Sequence, residues 1–400
     1  MKMPAQKSAL LCALATAAFF PGFATAPAAS PRALTDASGK KSEWEMFYGG
    51  FAYSGADAKV AERYPYSFAA NERMNNDERV MDAACRGYFK QGRASADNAG
   101  NAPVPLSDHV RLKFGSASAR DTHLVLALVQ TEERVLQENV GSFHKMVVTL
   151  GFNLLVMDYE GMEIVSSQPF ALELTDAARQ PFTDERIRGR VREMLVGETS
   201  MLAKEVQKRL PLVRGPGKNQ ATLRVTSVTI GDKALPFLPS RLRETPGLYA
   251  EFVGQQFSAC LAKNAGVAVL PYAKDASAAK MSLVFSDSSV LQFQIPQPSY
   301  GISLDLRGFK KVRGEQTAVE VVWIFGAFIK LNINDPEFGK VYWEKEFKHP
   351  FPDSYLLSQG DDVDGFYCAS EALNGVFRAA VEAMLADKKL RKDILDKCHL

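Results

Sequence analysis

Alternation of apolar and polar residues is the strongest pattern along this chain. Within Met146–Val156 every second residue is apolar, and the same holds within Val319–Ile333. A period of two is typical of β-strands with one buried face, so both stretches predict long strands. The alternate positions in and just before the first stretch include Lys145, Thr149 and Asn153. They predict that the other face of this strand is only partly buried.

Apolar residues at helical spacing flank the predicted strands in both halves of the chain. The pattern predicts helices over about Asp77–Gln91 and Thr183–Arg209, and again over about Gly247–Asn264 and Gly365–Ala386. Each half therefore combines a mainly antiparallel or mixed sheet with two helices packed on one face. The predicted fold class is α+β, in two tandem repeats.

Several landmarks recur at one offset, which indicates an internal duplication. The glycines of the two long strands, Gly151 and Gly326, are 175 positions apart, and so are Cys85 and Cys260. A Pro-Phe pair also follows the hairpin of each half. The alternative is that two unrelated α/β domains share hairpins and amphipathic helices by chance.

The ends and a Gly-Pro segment divide the chain. Residues 1–28 resemble a secretory signal peptide, because an apolar core at Ala9–Phe20 follows Lys2 and Lys7 and small residues follow it. We predict a flexible leader at 29–43, a first repeat at 44–213, a linker at 214–219 and a second repeat at 220–400. Leu11 precedes Cys12 where a lipidation signal has a small residue, so the chain is not an evident lipoprotein. The predicted location is the periplasm.

Composition narrows the range of partners. The chain has 48 basic and 46 acidic residues, and this balance argues against nucleic acid, which requires a positive surface. No apolar run after the signal peptide is long enough to span a membrane. Four cysteines follow the predicted cleavage site, so two disulfides are allowed, and Cys260–Cys368 is the pair we favour. The alternative is that Cys85 and Cys260 are small buried apolar residues on helices.

A strand-hairpin-helix pattern recurs in the two halves, and its most distinctive segments are Asp121–Gln130, Lys145–Asp158, Gly161–Val165, Ile302–Phe309, Val319–Asn332 and Gly339–Trp343. These segments resemble the curli-secretion-channel-like and Tol-translocation N-terminal-like periplasmic domains, over residues 44–212 and 220–386. The resemblance implies a non-enzymatic envelope component, such as an adaptor, a secretion-channel or flagellar-ring component, or an activator of wall synthesis. Many members carry a lipid anchor, which this sequence does not predict.

The sequence shows no cluster of nucleophile, base and orienting residue, so it does not predict an enzyme. It also shows no spacing of ligand residues that predicts a metal or another cofactor. We therefore expect a non-enzymatic periplasmic adaptor or assembly factor that binds envelope proteins, with homo-oligomerisation left open. The alternative is a periplasmic carrier that holds a lipid or other apolar ligand between sheet and helices. The partner-binding loop that we predict contains Phe293, Ile295, Pro296, Pro298 and Tyr300.

Overall fold

Twelve strands and nine α-helices form over the residues that the computed structural model describes. These residues are 44–55, 59–75, 78–91, 104–107, 110–114, 124–140, 143–216, 221–273, 279–357 and 365–398. The predicted signal peptide and leader lie outside them, as do residues 217–220 around the predicted linker. None of the described helices is long and apolar enough to cross a membrane.

The first half contains six strands and five α-helices in the described residues. They are β1 (Trp44–Ser54), α1 (Val60–Arg63), α2 (Pro65–Ala70), α3 (Val80–Gln91), β2 (Val104–Ser107), β3 (Val110–Lys113), β4 (Leu124–Val140), β5 (Phe143–Asp158), β6 (Glu163–Ala178), α4 (Asp184–Leu195) and α5 (Met201–Arg209). The sequence predicted one helix over Thr183–Arg209. The structure divides it because Gly197 adopts a φ of 110°, and Ser200 then caps a new helix by accepting a hydrogen bond from the Ala203 N–H.

The second half continues with six strands and four α-helices in the described residues. They are β7 (Leu223–Lys233), α6 (Ser240–Glu244), α7 (Pro246–Ala265), β8 (Lys280–Phe285), β9 (Val290–Gln294), β10 (Tyr300–Gln316), β11 (Glu320–Asn334), β12 (Val341–Leu356), α8 (Gly365–Ala386) and α9 (Lys388–Asp393). Pro350 lies inside β12, as Pro169 lies inside β6, so the Pro-Phe pairs do not end these strands. Proline is tolerated there because β12 is an edge strand and β6 touches β9 through one residue pair.

Both halves use one strand order. The first sheet contains β1-β4-β5-β6 and the second is β7-β10-β11-β12, with the first pair of each parallel and the others antiparallel. The predicted α+β class with mixed sheets is confirmed. The shared order also supports duplication, and the division into two repeats stays a proposal.

The inner face of each sheet packs on the helices of its own half. Leu150 and Phe152 of β5 lie in one buried apolar cluster, and Phe325 and Ala327 of β11 lie in the other. The sequence predicted room for an apolar ligand between each sheet and its helices. The protein's own side chains fill the space there in both halves.

The β8–β9 hairpin joins the sheet of the other half. Ala52–Ser54 of β1 pairs with Leu283–Phe285 of β8, on the edge where Trp44–Phe47 pairs with β3. The sequence placed this strand in the second unit. The apolar outer face of the first sheet explains the exchange, because the hairpin buries Val125 and Leu155 in a third cluster.

The outer face of β5 is consequently buried, contrary to the sequence prediction. Thr149 and Asn153 are 3% and 4% exposed, although Lys145 is half-buried as expected. Helix α7 of the second half packs over β6 beside Asn153, and Gln255 and Ser258 of α7 line the small gap between them. Two elements of the second half thus cover the outer face of the first sheet.

Candidate functional site

The predicted partner-binding loop is largely internal. Phe293, Ile295 and Pro298 are buried, and Pro296 and Tyr300 are half-buried. The Phe293 ring lies 5.2 Å from the Tyr159 ring in the third cluster. Partner binding through this loop stays a prediction.

The four described cysteines remain thiols, so the favoured Cys260–Cys368 disulfide is not present in this structure. Cys368 is buried, 3.2 Å from the Tyr355 hydroxyl, and Cys260 lies on α7, where the Asn264 amide donates to its sulfur. Burial raises the pKa of the Cys260 thiol. Its surroundings therefore favour the neutral, less reactive form.

A cleft of about 620 Å³ lies between elements of the two halves. Its walls come from the end of β1, from α1 and the start of α2, from the second part of β4, and from α6 and α7. Its lining residues are Ser54, Gly55, Lys59, Val60, Glu62, Arg63, Pro65, Tyr66, Glu132, Glu133, Arg134, Val135, Leu136, Gln137, Pro239, Leu242, Leu248 and Phe252.

A bulge in β4 directs side chains into this cleft. The register of β4 against β5 shifts between Gln130 and Glu132, and Gly151 lies opposite the bulge. A Cβ at Gly151 would lie 2.9 Å from the Glu132 Cβ, so only glycine fits without a shift. Beyond the bulge, Glu132 and Arg134 share the outer face of the sheet, toward the second half.

Two buried charges meet at the floor of the cleft. The Glu132 and Arg134 side chains are 2% and 9% exposed, and Glu132 Oε1 lies 3.6 Å from Arg134 Nε. Neither of these two atoms has a hydrogen-bond partner among the described residues. Burial raises the pKa of Glu132 to about 7, although Arg134 opposes the shift. The carboxyl group therefore titrates near neutrality.

Further polar contacts join the two halves around this floor. Arg63 of α1 forms a 2.6 Å ion pair with Glu251 of α7 and donates to the Thr131 carbonyl at 3.0 Å. The Arg134 guanidinium lies over the rings of Phe252 and Phe366, 5.7 and 5.9 Å from their centroids. The charges are therefore held by aromatic and acidic groups that are distant in sequence.

Sequence reasoning missed this cleft. A usable signal was present, because the polar run from Gln130 to Arg134 interrupts the apolar segment Leu124–Val129. Its partners Arg63, Glu251 and Phe252 come from segments whose proximity only the fold determines. Over the described part of the chain, no group of three or more His, Cys, Asp or Glu side chains could hold a metal ion.

The outer face of the second sheet contrasts with that of the first. Gly326 is the counterpart of Gly151, and on the same face Val322 and Phe328 are half-buried while Ile324 is 36% exposed. Further exposed apolar residues lie at the same end of the sheet. We call the set the outer patch: Val312, Val322, Ile324, Phe328, Pro350, Pro352 and Leu356.

Charges surround the outer patch unevenly. Exposed Lys310 and Lys348 lie beside it, paired in register with Gly326 and Phe328. Farther along the strands, ion pairs occupy the same face, including Lys330–Glu344 at 2.8 Å. The outer patch is thus an apolar surface with Lys310 and Lys348 at one end and Glu320, which pairs in register with Leu356, at the other.

Comparison with protein families finds none that matches the chain, and no curated protein matches it. A neuraminyllactose-binding hemagglutinin homologue from Helicobacter pylori is 13% identical over 46% of this chain and 95% of its own, with a TM-score of 0.25. A DUF330 protein from Xanthomonas campestris is 12% identical over 45% of this chain and 93% of its own, with a TM-score of 0.26. A minor lipoprotein from Acinetobacter baumannii is 9% identical over 42% of this chain and 95% of its own, with a TM-score of 0.23. Each alignment covers less than half of this chain.

Proposed function

We propose that this protein is a non-enzymatic adaptor or assembly factor of the bacterial cell envelope, with a role in secretion, outer-membrane or surface-structure biogenesis. One observation carries the proposal. The outer face of the first sheet is covered by α7 and the β8–β9 hairpin, whereas the equivalent face of the second sheet stays exposed or half-buried over the described residues. The predicted signal peptide supports an envelope location.

The chemistry of the outer patch favours a protein partner. Contiguous exposed apolar surface on a folded protein often marks a protein interaction site. Lys310 and Lys348 at one end favour a partner with an apolar centre and acidic residues facing that end.

Site-specific photo-crosslinking in the native host tests the adaptor proposal. A photoreactive residue at Ile324 should capture one envelope protein, identified by mass spectrometry, whereas the same residue at Leu212, which is 44% exposed in the first half, should not. Ile324→Asp, with the photoreactive residue at Val322, should abolish the capture, because it places a charge at the centre of an apolar contact.

The outcome that contradicts this proposal is equal capture of diverse proteins at Ile324 and Leu212. A further probe at Gln297, which is exposed in the predicted loop, distinguishes the two surfaces. Capture at Gln297 alone would assign partner binding to the loop and not to the outer patch.

A carrier of an apolar ligand is the second candidate function, and the cleft between the halves favours it. The cleft volume lies within the roughly 300–1,000 Å³ typical of small-molecule sites. Its apolar lining includes Leu242, Leu248 and Phe252. Extraction of lipid from the protein purified from its host, followed by mass spectrometry, tests this function, and the absence of any bound apolar molecule would oppose it.

A further inference from the structure

We infer that the cleft between the halves binds a single-chain amphiphile whose uncharged head carries both a hydrogen-bond donor and an acceptor. The inference rests on the carrier function and names its ligand class. Three features of the cleft carry it: apolar walls, two unpartnered polar atoms on the floor, and a balance of charge.

The walls provide a place for an acyl chain. Val60, Val135 and Leu136 come from the first half, and Leu242, Leu248 and Phe252 come from the second. A volume of about 620 Å³ has room for one chain with a small head. Burial of a hydrocarbon chain against these side chains would be favourable in proportion to its area.

The floor specifies the head. Glu132 Oε1 accepts no hydrogen bond and Arg134 Nε donates none within the described residues, and these atoms are 3.6 Å apart. Buried polar atoms in native proteins nearly always have partners. A hydroxyl or amide placed beside both could donate to the carboxylate oxygen and accept from the guanidinium nitrogen.

The charges of the lining disfavour an ionic head. Glu62, Glu132 and Glu133 balance Lys59, Arg63 and Arg134. The more buried cations already face acids, since Arg63 pairs with Glu251 and Arg134 lies beside Glu132. Glu133 accepts hydrogen bonds from the Tyr66 and Ser67 backbone at the start of α2. A charged head at the floor would therefore lose hydration without gaining an unpaired counter-ion there.

Competition for a bound apolar fluorescent dye tests the inference with the full-length mature protein. The probes are 1-monooleoylglycerol, oleate and oleylamine, which share one chain and differ in the head. We expect monooleoylglycerol to compete at a roughly tenfold lower concentration than either ion, as one additional satisfied polar contact would provide.

Variants locate the site. Leu248→Trp fills the cleft and should weaken monooleoylglycerol binding about tenfold or more, whereas Val341→Trp, at a position 51% exposed on β12, should not change it. Glu132→Gln keeps the shape of the side chain and should reduce the preference for monooleoylglycerol over oleate. Circular dichroism verifies the fold of each variant. If Leu248→Trp does not fold, the change in head-group preference in Glu132→Gln becomes the test of the binding site.

The outcomes separate the two levels of the proposal. Binding of none of the probes to the wild-type protein would overturn both the carrier function and the ligand class. Equal binding of all three, or preference for an ion, with loss in Leu248→Trp, would keep the carrier function and overturn the head-group inference. Unchanged binding in a folded Leu248→Trp variant would show that the cleft is not the site.

Discussion

Gly151 and Gly326 occupy equivalent positions in two long strands but have different surroundings. A Cβ at Gly151 would approach the Glu132 Cβ to 2.9 Å and the Thr131 Oγ1 to 3.1 Å, because the β4 bulge lies against it. At Gly326 the nearest atom would be a ring carbon of Phe328 at 3.4 Å, which is an ordinary contact. The duplicated glycine is therefore structurally required in only one copy.

Alanine substitution of the two glycines tests this difference. Gly151→Ala should reduce the free energy of unfolding by about 1–3 kcal/mol, because the neighbouring strand must shift to admit the methyl group. Gly326→Ala should change it by less than about 1 kcal/mol. Urea unfolding measures both values, and equal losses in the two variants would contradict the assigned role of the bulge.

At the scale of elements, the β8–β9 hairpin is the clearest departure from the sequence prediction. Its apolar and polar residues alternate as expected of a strand pair, but it pairs with β1 of the other half. Phe293 anchors it, fully buried against Tyr159, Val129 and their neighbours in the third cluster. The predicted interaction loop is thus, in this structure, mainly a packing element.

Truncation of this anchor should weaken the whole fold. Phe293→Ala should cost about 3–5 kcal/mol of unfolding free energy, the usual value for loss of a buried aromatic side chain. Phe338→Ala is the matched control, because Phe338 is 79% exposed, and it should cost less than about 0.5 kcal/mol. Chemical denaturation gives both numbers, and a cost below 1 kcal/mol for Phe293→Ala would show that the hairpin adds little stability.

At the scale of the whole molecule, the halves meet through buried charge as well as apolar packing. Glu132 and Arg134 of the first half lie against α7 and α8 of the second, and Arg63 pairs with Glu251. Burial holds the pKa of Glu132 at about 7, above the ordinary 4.5. The folded protein therefore keeps a proton on this carboxyl group that the unfolded chain releases between these two pH values.

The free energy of unfolding should accordingly fall as the pH rises from about 4.5 to 7, and should stay constant above that range. The contribution of Glu132 is at most about 3 kcal/mol, from 1.36 kcal/mol per pKa unit. Burial also raises the pKa of Glu133 and Glu173, which adds in the same direction. Glu132→Gln should flatten the profile of unfolding free energy against pH, whereas Glu315→Gln, at an exposed site, should leave it unchanged. Identical profiles in wild type and Glu132→Gln would contradict the buried-carboxyl assignment.

The sequence alone determined the α+β class, most strands and helices, and the matching order of elements in the two halves. Local periodicity encodes these features, because each strand or helix must show one apolar face to a core. The sequence predicted Phe293 and Ile295 as residues of a partner-binding loop and did not indicate that their side chains are buried. Fine boundaries such as the helix break at Gly197 depend on a single backbone conformation, which periodicity does not report.

Only the tertiary structure decided which sheet each element joins. The exchange of the β8–β9 hairpin, the cleft at Glu132 and Arg134, and the contrast between the two outer faces all follow from contacts between residues more than a hundred positions apart. The periodicity of a strand specifies that a face is buried but not what covers it. The physical reason is that burial of apolar surface is non-directional. The element that packs on a given sheet face therefore depends on the geometry of the whole chain.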